Sequence, residues 1–444
     1  MNKGKVFSLG FQHVLAMYAG AVIVPLIIGQ QLHLTTEQLS YLVSIDLATS
    51  GLATLLQVWS NRFFGIGLPV VLGCTFTAVG PMLAIGKSFG MTAIYGSIIF
   101  SGLIVVLISG LFGKIARLFP PIVTGSVITV IGVTLIPVAI EDMAGGKGSP
   151  GFGSIENLIL SFGVLLFIIV VYRFCKGYLR AIAVLLGMIV GTIAAYLMGM
   201  VDLMPVKEAS WFHMVHPFYF GVPSFHLSGM ITMTIVAIVS LVESTGVFMA
   251  LSEICEKDLK TNDLTKGYRS EGLASILGGL FNAFPYTTFS QNVGLLQLSG
   301  VKTKNVIYAA GGILVVLGFV PKIATITTLI PTSVLGGAMM AMFGMVVAAG
   351  IKTLSKVDFS KQENLLIIAL SVGVGLGVTV EPQMFVKLPQ GVQLITSNGI
   401  VAGSLTAILL NILFTLKSKK MKIPALHHNK QPIQPVDKKM TSTL

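Results

Sequence analysis

Charged side chains are scarce in this chain of 444 residues, since Asp, Glu, Lys and Arg make up 10% of it against roughly a quarter of an ordinary soluble protein. The scarcity argues against a soluble enzyme, and also against a disordered chain, which needs low hydrophobicity and high charge. Apolar residues take the place of charge: 54% of the chain is hydrophobic and the mean hydropathy is +0.88. At about 20 apolar residues per spanning helix, there is room for about twelve to fourteen spans. The composition predicts a single all-α polytopic membrane domain.

Cysteine is scarce as well. Cys74, Cys175 and Cys255 show no C-x-x-C spacing and no histidine at a metal-ligand interval, which indicates neither a disulfide framework nor a zinc site. A membrane enzyme would need a nucleophile with its base, or a cluster of metal ligands. The candidates for such a cluster are three histidines of one predicted outer loop: His213, His216 and His226. No clear set of carboxylates lies beside them, so we expect no enzyme, no metal and no cofactor.

Acidic residues are outnumbered by basic ones, 17 to 29, which gives a net charge of +12. In a soluble protein this excess would suggest a nucleic-acid partner, but cytoplasmic loops of membrane proteins collect Lys and Arg. The apolar runs predict fourteen spans, near residues 6–29, 38–58, 65–85, 91–112, 120–140, 155–172, 181–200, 228–251, 270–283, 285–298, 305–320, 324–350, 364–380 and 395–416. We therefore expect the chain to lie in the lipid bilayer and to bind no nucleic acid.

The basic residues fall mainly on one side of these spans. If the N-terminus lies in the cytoplasm, 24 of the 29 lie inside, and 5 lie outside: Lys87, Lys147, Lys207, Lys322 and Lys387. A miscounted span would invert every later loop and remove this bias. We expect a multi-pass protein of the plasma membrane with both termini in the cytoplasm, and a disordered polar tail over residues 417–444.

Two predicted spans lack a regular helical pattern. Residues 67–77 and 284–292 both mix proline or glycine with β-branched residues, and their prolines lie 216 positions apart. Extended backbone at membrane depth is tolerated only inside protein or along a cavity, and interrupted segments at matching places in two halves indicate a transporter's binding site. Residues 121–126 also recur loosely at 331–336. Each half has seven spans, and because this number is odd, the second half enters the membrane from the opposite side. The pattern predicts a 7+7 inverted repeat with short extended stretches in segments 3 and 10. The alternative is a chance similarity in a chain with 49 glycines.

Acids inside spans are few, and an ionisable group in the membrane is costly enough to indicate function by default. Glu243 lies deep in the apolar run 238–246 and is a candidate proton carrier; the alternative is a structural role in joining helices. Asp46 fits a structural role better, because its polar neighbours in the span are limited to Ser44 and Thr49.

Two adjacent carboxamides, Gln291 and Asn292, lie in the second interrupted segment. An amide presents donors and an acceptor in one plane, so it matches the edge of a planar, uncharged or weakly acidic heterocycle. We expect Gln291 to bind such a ligand, whereas Asn292 fits ligand contact and capping of broken backbone equally well. Phe76, in the first interrupted segment, is a candidate for stacking on the ligand ring. His13, in the first span, fits either a proton relay or simple packing.

Residues 291–300 resemble the signature of the nucleobase–ascorbate transporters, [Q/E/P]-N-x-G-x-x-x-x-T-[R/K/G], with Gly294 at its glycine and Ser299 in place of Thr. Residues 11–17 resemble the family's first-span Gln-His motif, and residues 242–246 its eighth-span acidic motif. The resemblance covers essentially the whole chain and is strongest to the bacterial xanthine permeases.

The resemblance implies two inverted repeats that form a core and a gate, often as a homodimer, with proton symport by an elevator-like movement of the core. Core and gate alternate along the chain: core 6–118, gate 119–225, core 226–322 and gate 323–416. By motif position, Glu243 and Gln291 bind the base. The other implied residues complete the pocket (Phe76, Ser290, Asn292), couple protons (His13, with Glu243) or support the motifs (Thr75, Gly294, Ser299). One departure weakens the proton route, because many relatives carry Asp where this chain has Val247.

The expected function is proton-coupled uptake of a purine nucleobase, xanthine first and urate second, two ligands that the sequence does not separate. Relatives that take uracil tend to carry Glu at the position of Gln291, which makes uracil a weaker alternative. An anion carrier of the same architecture is the other rival. Its site would need positive charge or helix N-termini without a carboxylate, and Glu243 argues against it.

Overall fold

The computed structural model describes residues 2–115, 119–389, 392–393 and 396–421. Its α-helices are α1 (Lys3–Gln31), α2 (Thr36–Val58), α3 (Val79–Phe89), α4 (Met91–Ile115), α5 (Pro121–Met143), α6 (Ile155–Phe174), α7 (Tyr178–Ala181), α8 (Ala183–Leu197), α9 (Met204–Glu208), α10 (Leu227–Ile254), α11 (Thr261–Leu280), α12 (Ser290–Ser299), α13 (Lys304–Gly318), α14 (Pro321–Thr328), α15 (Thr332–Leu354), α16 (Gln362–Val380) and α17 (Gly399–Met421). The strands are β1 (Leu72–Cys74) and β2 (Tyr286–Thr288), and 3₁₀ turns cover Phe76–Ala78 and Pro382–Phe385.

Within the described residues, eight helices are long and apolar enough to cross a membrane: α1, α2, α4, α5, α6, α10, α15 and α16. Helices α13 and α14, bent by 81° at their junction, would add a ninth as one broken span. The expected helical, multi-pass membrane protein is confirmed. The fourteen-span count stays a prediction, because α3 and α12, with 11 and 10 residues, are too short to cross a membrane alone.

The predicted span 324–350 is divided in the structure. Helix α14 ends at Thr328 and α15 begins at Thr332, with Pro331 as its N-cap. A proline has no N–H to donate and disfavours helical backbone in the residue before it, so it starts a new helix more readily than it continues one. The apolar run alone did not reveal this break.

The two interrupted segments meet as an antiparallel strand pair. Leu72 lies opposite Thr288 and Cys74 opposite Tyr286. Backbone hydrogen bonds extend the pairing at both ends, from Phe289 N to Val71 O at 2.9 Å and from Thr75 N to Pro285 O at 3.0 Å. All six strand residues are buried. The pairing satisfies backbone groups for which lipid offers no partner.

Helices enclose this strand pair, which contacts α1 and α2 through β1 and α10 and α11 through β2. The packing is close at Gly73, where an added Cβ would overlap the ring of Phe289. Farther out, α11 packs on α4, α13 on α2 and α15 on α5.

The predicted tail overlaps the last helix, since α17 runs to Met421. The rest of that tail, residues 422–444, lies outside the described residues, as does Arg117.

Candidate functional site

The carboxylate of Glu243 is held beside the first interrupted segment. Glu243 lies in the middle of α10 and is partly buried. The Thr77 hydroxyl, in the 3₁₀ turn after β1, donates a hydrogen bond to Glu243 Oε2 at 3.3 Å. Among the described residues, Oε1 accepts no hydrogen bond. One carboxylate oxygen is therefore held by the protein, and the other has no hydrogen-bond partner within the described part of the chain.

The next residue along α10 binds the second strand. The Ser244 hydroxyl shares a hydrogen bond with the Thr287 hydroxyl at 2.8 Å and accepts one from Thr288 N at 3.5 Å. Consecutive residues of α10 thus hold the turn after β1 and the strand β2. This arrangement places Glu243 at the strand pair, as the expected site requires.

Thr75 and Phe76 form the start of the 3₁₀ turn. Thr75 is buried, and its side chain accepts a hydrogen bond from Thr77 N at 3.3 Å. The ring of Phe76 is partly buried, and it meets Phe343 of α15 edge-on, with centroids 5.6 Å apart at 84°. Phe76 therefore already has an aromatic partner on the helix that the resemblance assigns to the gate.

Ser290 and Gln291 begin α12 directly after β2. Ser290 is exposed, Gln291 is partly buried, and the Ser290 hydroxyl donates to Gln291 Oε1 at 3.5 Å. Because the strands are antiparallel, Phe76 and Gln291 leave the pair at opposite ends. Helix α10, which carries Glu243, packs on both the turn and α12, which carries Gln291. Within the described residues, these two side chains make no hydrogen bond to each other.

Asn292 joins α12 to α1. Its Nδ2 donates to the backbone oxygen of His13 at 3.1 Å and lies 3.1 Å from His13 Nδ1, and both side chains are buried. A donor at Nδ1 requires that nitrogen to be unprotonated, which assigns the ring proton to Nε2. The contacts favour a supporting role for Asn292 over direct contact with a ligand.

The end of the signature closes α12. The Ser299 hydroxyl donates to Leu296 O at 3.4 Å and accepts from Val301 N at 3.3 Å, and Gly300 has the left-handed φ of +63°. Ser299 therefore caps the end of α12 at the position where the signature usually has Thr. Gly294 is exposed, and a Cβ there would meet nothing within 4 Å, so the packing of this chain does not require a glycine at that position.

Glu271 is a buried acid that the sequence analysis missed. The predicted span began at residue 270, but α11 begins at Thr261, so Glu271 lies in mid-helix instead of at its edge. The basic side chains of Lys266 and Arg269 made the first half of α11 read as a loop. Glu271 is 3% exposed, and neither carboxylate oxygen has a hydrogen-bond partner among the described residues. A cavity of about 20 Å³ beside it, also lined by Ser240, is large enough for one water.

Asp46 lies on the other side of β2. It is fully buried, and the Tyr286 hydroxyl donates to Asp46 Oδ1 at 3.0 Å and to its backbone oxygen at 3.3 Å. These contacts tie α2 to the strand and favour the structural role expected for this acid.

A larger cavity, of about 380 Å³, opens between α3, α5, α16 and the start of α17. Gly80, Thr134, Thr379 and Asn398 are among its lining residues, and none of the predicted site residues lines it. The described residues contain no group of three or more His, Cys, Asp or Glu that could hold a metal ion.

Comparisons with known proteins cover nearly the whole chain. A family model described as a permease family matches residues 4–384. The chain is 68% identical to the nucleobase transporter PlUacP of Paenibacillus larvae, 62% identical to a xanthine permease of Bacillus subtilis and 59% identical to the uric acid permease PucK of Bacillus subtilis. These alignments cover 95%, 95% and 94% of this chain and 97%, 96% and 97% of the relatives.

The fold is also similar to that of a solved structure, the transmembrane domain of the cyanobacterial bicarbonate transporter BicA. The TM-score is 0.61 at 15% identity, with 92% of this chain and 98% of the other covered. At this identity the likeness concerns the fold alone.

Proposed function

The chain belongs to the permease family matched above, a family of membrane transporters and not of enzymes, and on this premise we propose that it imports a purine nucleobase together with protons. Xanthine is the first proposed substrate and urate the second. The proposal depends on the contacts of the Glu243 carboxylate. Its Oε2 accepts a hydrogen bond from Thr77, and its Oε1 accepts none within the described residues.

In this proposal the free oxygen of Glu243 accepts an N–H of the purine ring, and Gln291 complements the neighbouring donor and acceptor. A hydrogen bond to a charged group is about twice as strong as one between neutral groups, so the carboxylate supplies most of the binding and the amide most of the selection. Phe76 and the backbone near Ser290 complete the pocket. His13 and Asn292 hold α12 in place beneath it.

Protons are proposed to couple through Glu243, and Glu271 is a second candidate carrier. Val247 is 7% exposed and offers no charge where many relatives carry Asp. Glu271 lies on the neighbouring helix with two unpartnered oxygens and a water-sized cavity. A buried carboxylate without partners is costly, which supports a role in proton transfer.

The architecture proposed for this transport has fourteen segments in a 7+7 inverted repeat, with a mobile core against a gate, assembled as a homodimer in the plasma membrane with both termini inside. The strand pair between two interrupted segments supports the repeat in this proposal.

The relatives do not rank xanthine and urate decisively, because their identities to this chain differ by only three percentage points, 62% and 59%. Gln291 favours both over uracil, by resemblance. The proposed site offers a carboxyl and an amide and no Lys or Arg among its described residues, which disfavours a small inorganic anion such as bicarbonate in spite of the shared fold.

Uptake of labelled xanthine by cells without purine transporters of their own tests the proposal. We expect accumulation that unlabelled xanthine and urate suppress, that uracil and bicarbonate leave unchanged, and that a protonophore collapses. Absence of uptake, or suppression by bicarbonate alone, would contradict the proposed function.

A further inference from the structure

The connector between α9 and α10 has an unusual composition for a loop. Over residues 209–226 it contains no Asp, Glu, Lys or Arg but six Phe, Tyr or Trp, although aromatic residues make up 9% of the chain. Connecting segments normally run through water and carry polar side chains. A chargeless connector with one aromatic residue in three is suited to a different environment.

One side of this connector is fixed to the ends of the helices beneath it. The Tyr41 hydroxyl, on α2, donates to His216 O at 2.7 Å, and the Tyr41 ring stacks on Tyr219 at 3.8 Å. Backbone nitrogens of the connector complete the attachment: Phe218 N donates to Leu280 O, Phe220 N to Asn282 Oδ1 and Ser224 N to Thr92 O, at 3.1–3.2 Å. The connector therefore lies flat across α2, α4 and the end of α11.

The opposite side of the connector is apolar and exposed. Trp211 is 72% exposed and Val222 77%, and large parts of three further side chains are also exposed: Phe212, Met214 and Phe225. An exposed apolar patch of this kind indicates an interaction surface.

The apolar helices that precede and follow this region of the chain, α8 and α10, also expose apolar side chains at their near ends. Leu197 is the last residue of α8 and Leu227 the first of α10, and both are highly exposed. Spanning helices end near the surface of the bilayer. The exposed face of the connector thus lies where lipid headgroups begin.

The two tryptophans of the chain support this placement. Trp59 follows the last residue of α2, whereas Trp211 belongs to the connector that is bound near the first turns of the same helix. The 23 residues of α2 are about 35 Å long at about 1.5 Å per residue, close to the thickness of a bilayer. Tryptophans at both ends are typical of the aromatic belts of membrane proteins. Lys322 lies 4.6 Å over the Trp211 ring.

We propose that residues 209–226 form an interfacial anchor whose exposed face lies in the headgroup layer of the bilayer. The partner is phospholipid, because residues 209–226 themselves carry no charged side chain, expose large apolar side chains and include a tryptophan near one end of α2. The anchor is hydrogen-bonded to α2, α4 and the end of α11.

Depth-dependent quenching of tryptophan fluorescence in liposomes tests the proposal directly. The Trp59→Phe variant retains Trp211 alone, and the matched Trp211→Phe variant retains Trp59. We expect lipids brominated near the headgroup to reduce the Trp211 emission by roughly half, as expected for an interfacial ring, and aqueous iodide to act weakly. Strong quenching by iodide without an effect of brominated lipid would overturn the anchor, and so would protection from both quenchers, which would indicate a second copy on this face.

Thiol labelling provides a second measurement without fluorescence. In a Cys175→Ser, Cys255→Ser background, Val222→Cys places a thiol in the patch and Lys207→Cys places one on an exposed position near the end of α9, just before the connector. We expect a charged, water-soluble maleimide to label the cysteine at position 207 several-fold faster in liposomes. Equal labelling rates would contradict the proposal.

Discussion

Among single residues, the candidate site contains side chains of which only some polar atoms have a partner in the protein. Thr77 donates a hydrogen bond to one oxygen of Glu243, and the NH₂ group of Asn292 donates to His13. Glu243, Asn292 and His13 could be predicted as site residues because polar side chains are rare in apolar spans. Thr77 could not, because a threonine is common in such spans and its contact with Glu243 depends on the fold.

The contact between Asn292 and His13 predicts coupled effects. Asn292→Ala removes the donor and leaves the buried Nδ1 of His13 without its partner, which costs about 1–3 kcal/mol. We expect Asn292→Ala and His13→Ala each to lower the thermal unfolding midpoint of the purified protein, and the double variant to lower it by clearly less than the sum. Additive losses would show that the pair does not support α12 as described.

At the scale of the element, the decisive feature is the strand pair between the interrupted segments. Proline, glycine and β-branched residues in the sequence indicated that both segments were irregular. Their pairing could not be predicted from that pattern, because the partner of an extended segment depends on the whole fold. Helix ends were predictable where apolar runs stop at caps, but the polar first half of α11 concealed its start, and Glu271 with it.

Close packing on β1 predicts a difference between two glycines. In Gly73→Ala the new Cβ would overlap the Phe289 ring, and such overpacking costs about 1–3 kcal/mol. Gly294→Ala meets open space and is the matched control. We expect a lower unfolding midpoint and reduced uptake for Gly73→Ala alone. Equal tolerance of both substitutions would contradict the packing described for the strand pair.

At the scale of the whole molecule, the contacts of α14 bear on where the core ends. The resemblance placed that boundary at residue 323, within α14. The hydroxyls of Ser40 on α2 and Thr325 on α14 are 2.8 Å apart, and α14 packs along α2. These contacts favour a boundary after Thr328, at the break before α15.

Movement of the core against the gate predicts which cross-links stop transport. A Cβ on Gly80 would lie 2.9 Å from Asn398 Nδ2, which joins α3 to the segment before α17. We expect a disulfide in the Gly80→Cys/Asn398→Cys variant to stop uptake and a reductant to restore it. The Ser40→Cys/Thr325→Cys pair is the control within one body, and its disulfide should leave uptake intact. Uptake that survives the first cross-link would contradict a moving core.

Equilibrium binding of labelled xanthine to the purified protein is the most direct measurement of the claim that Glu243 receives the nucleobase. We expect saturable binding that Glu243→Gln weakens by about tenfold or more, since the substitution exchanges a charge-assisted hydrogen bond for a neutral one. Asp46→Asn, on the far side of β2, should bind like the unaltered protein if it folds with the same unfolding midpoint. Unchanged affinity in a correctly folded Glu243→Gln variant would contradict the account.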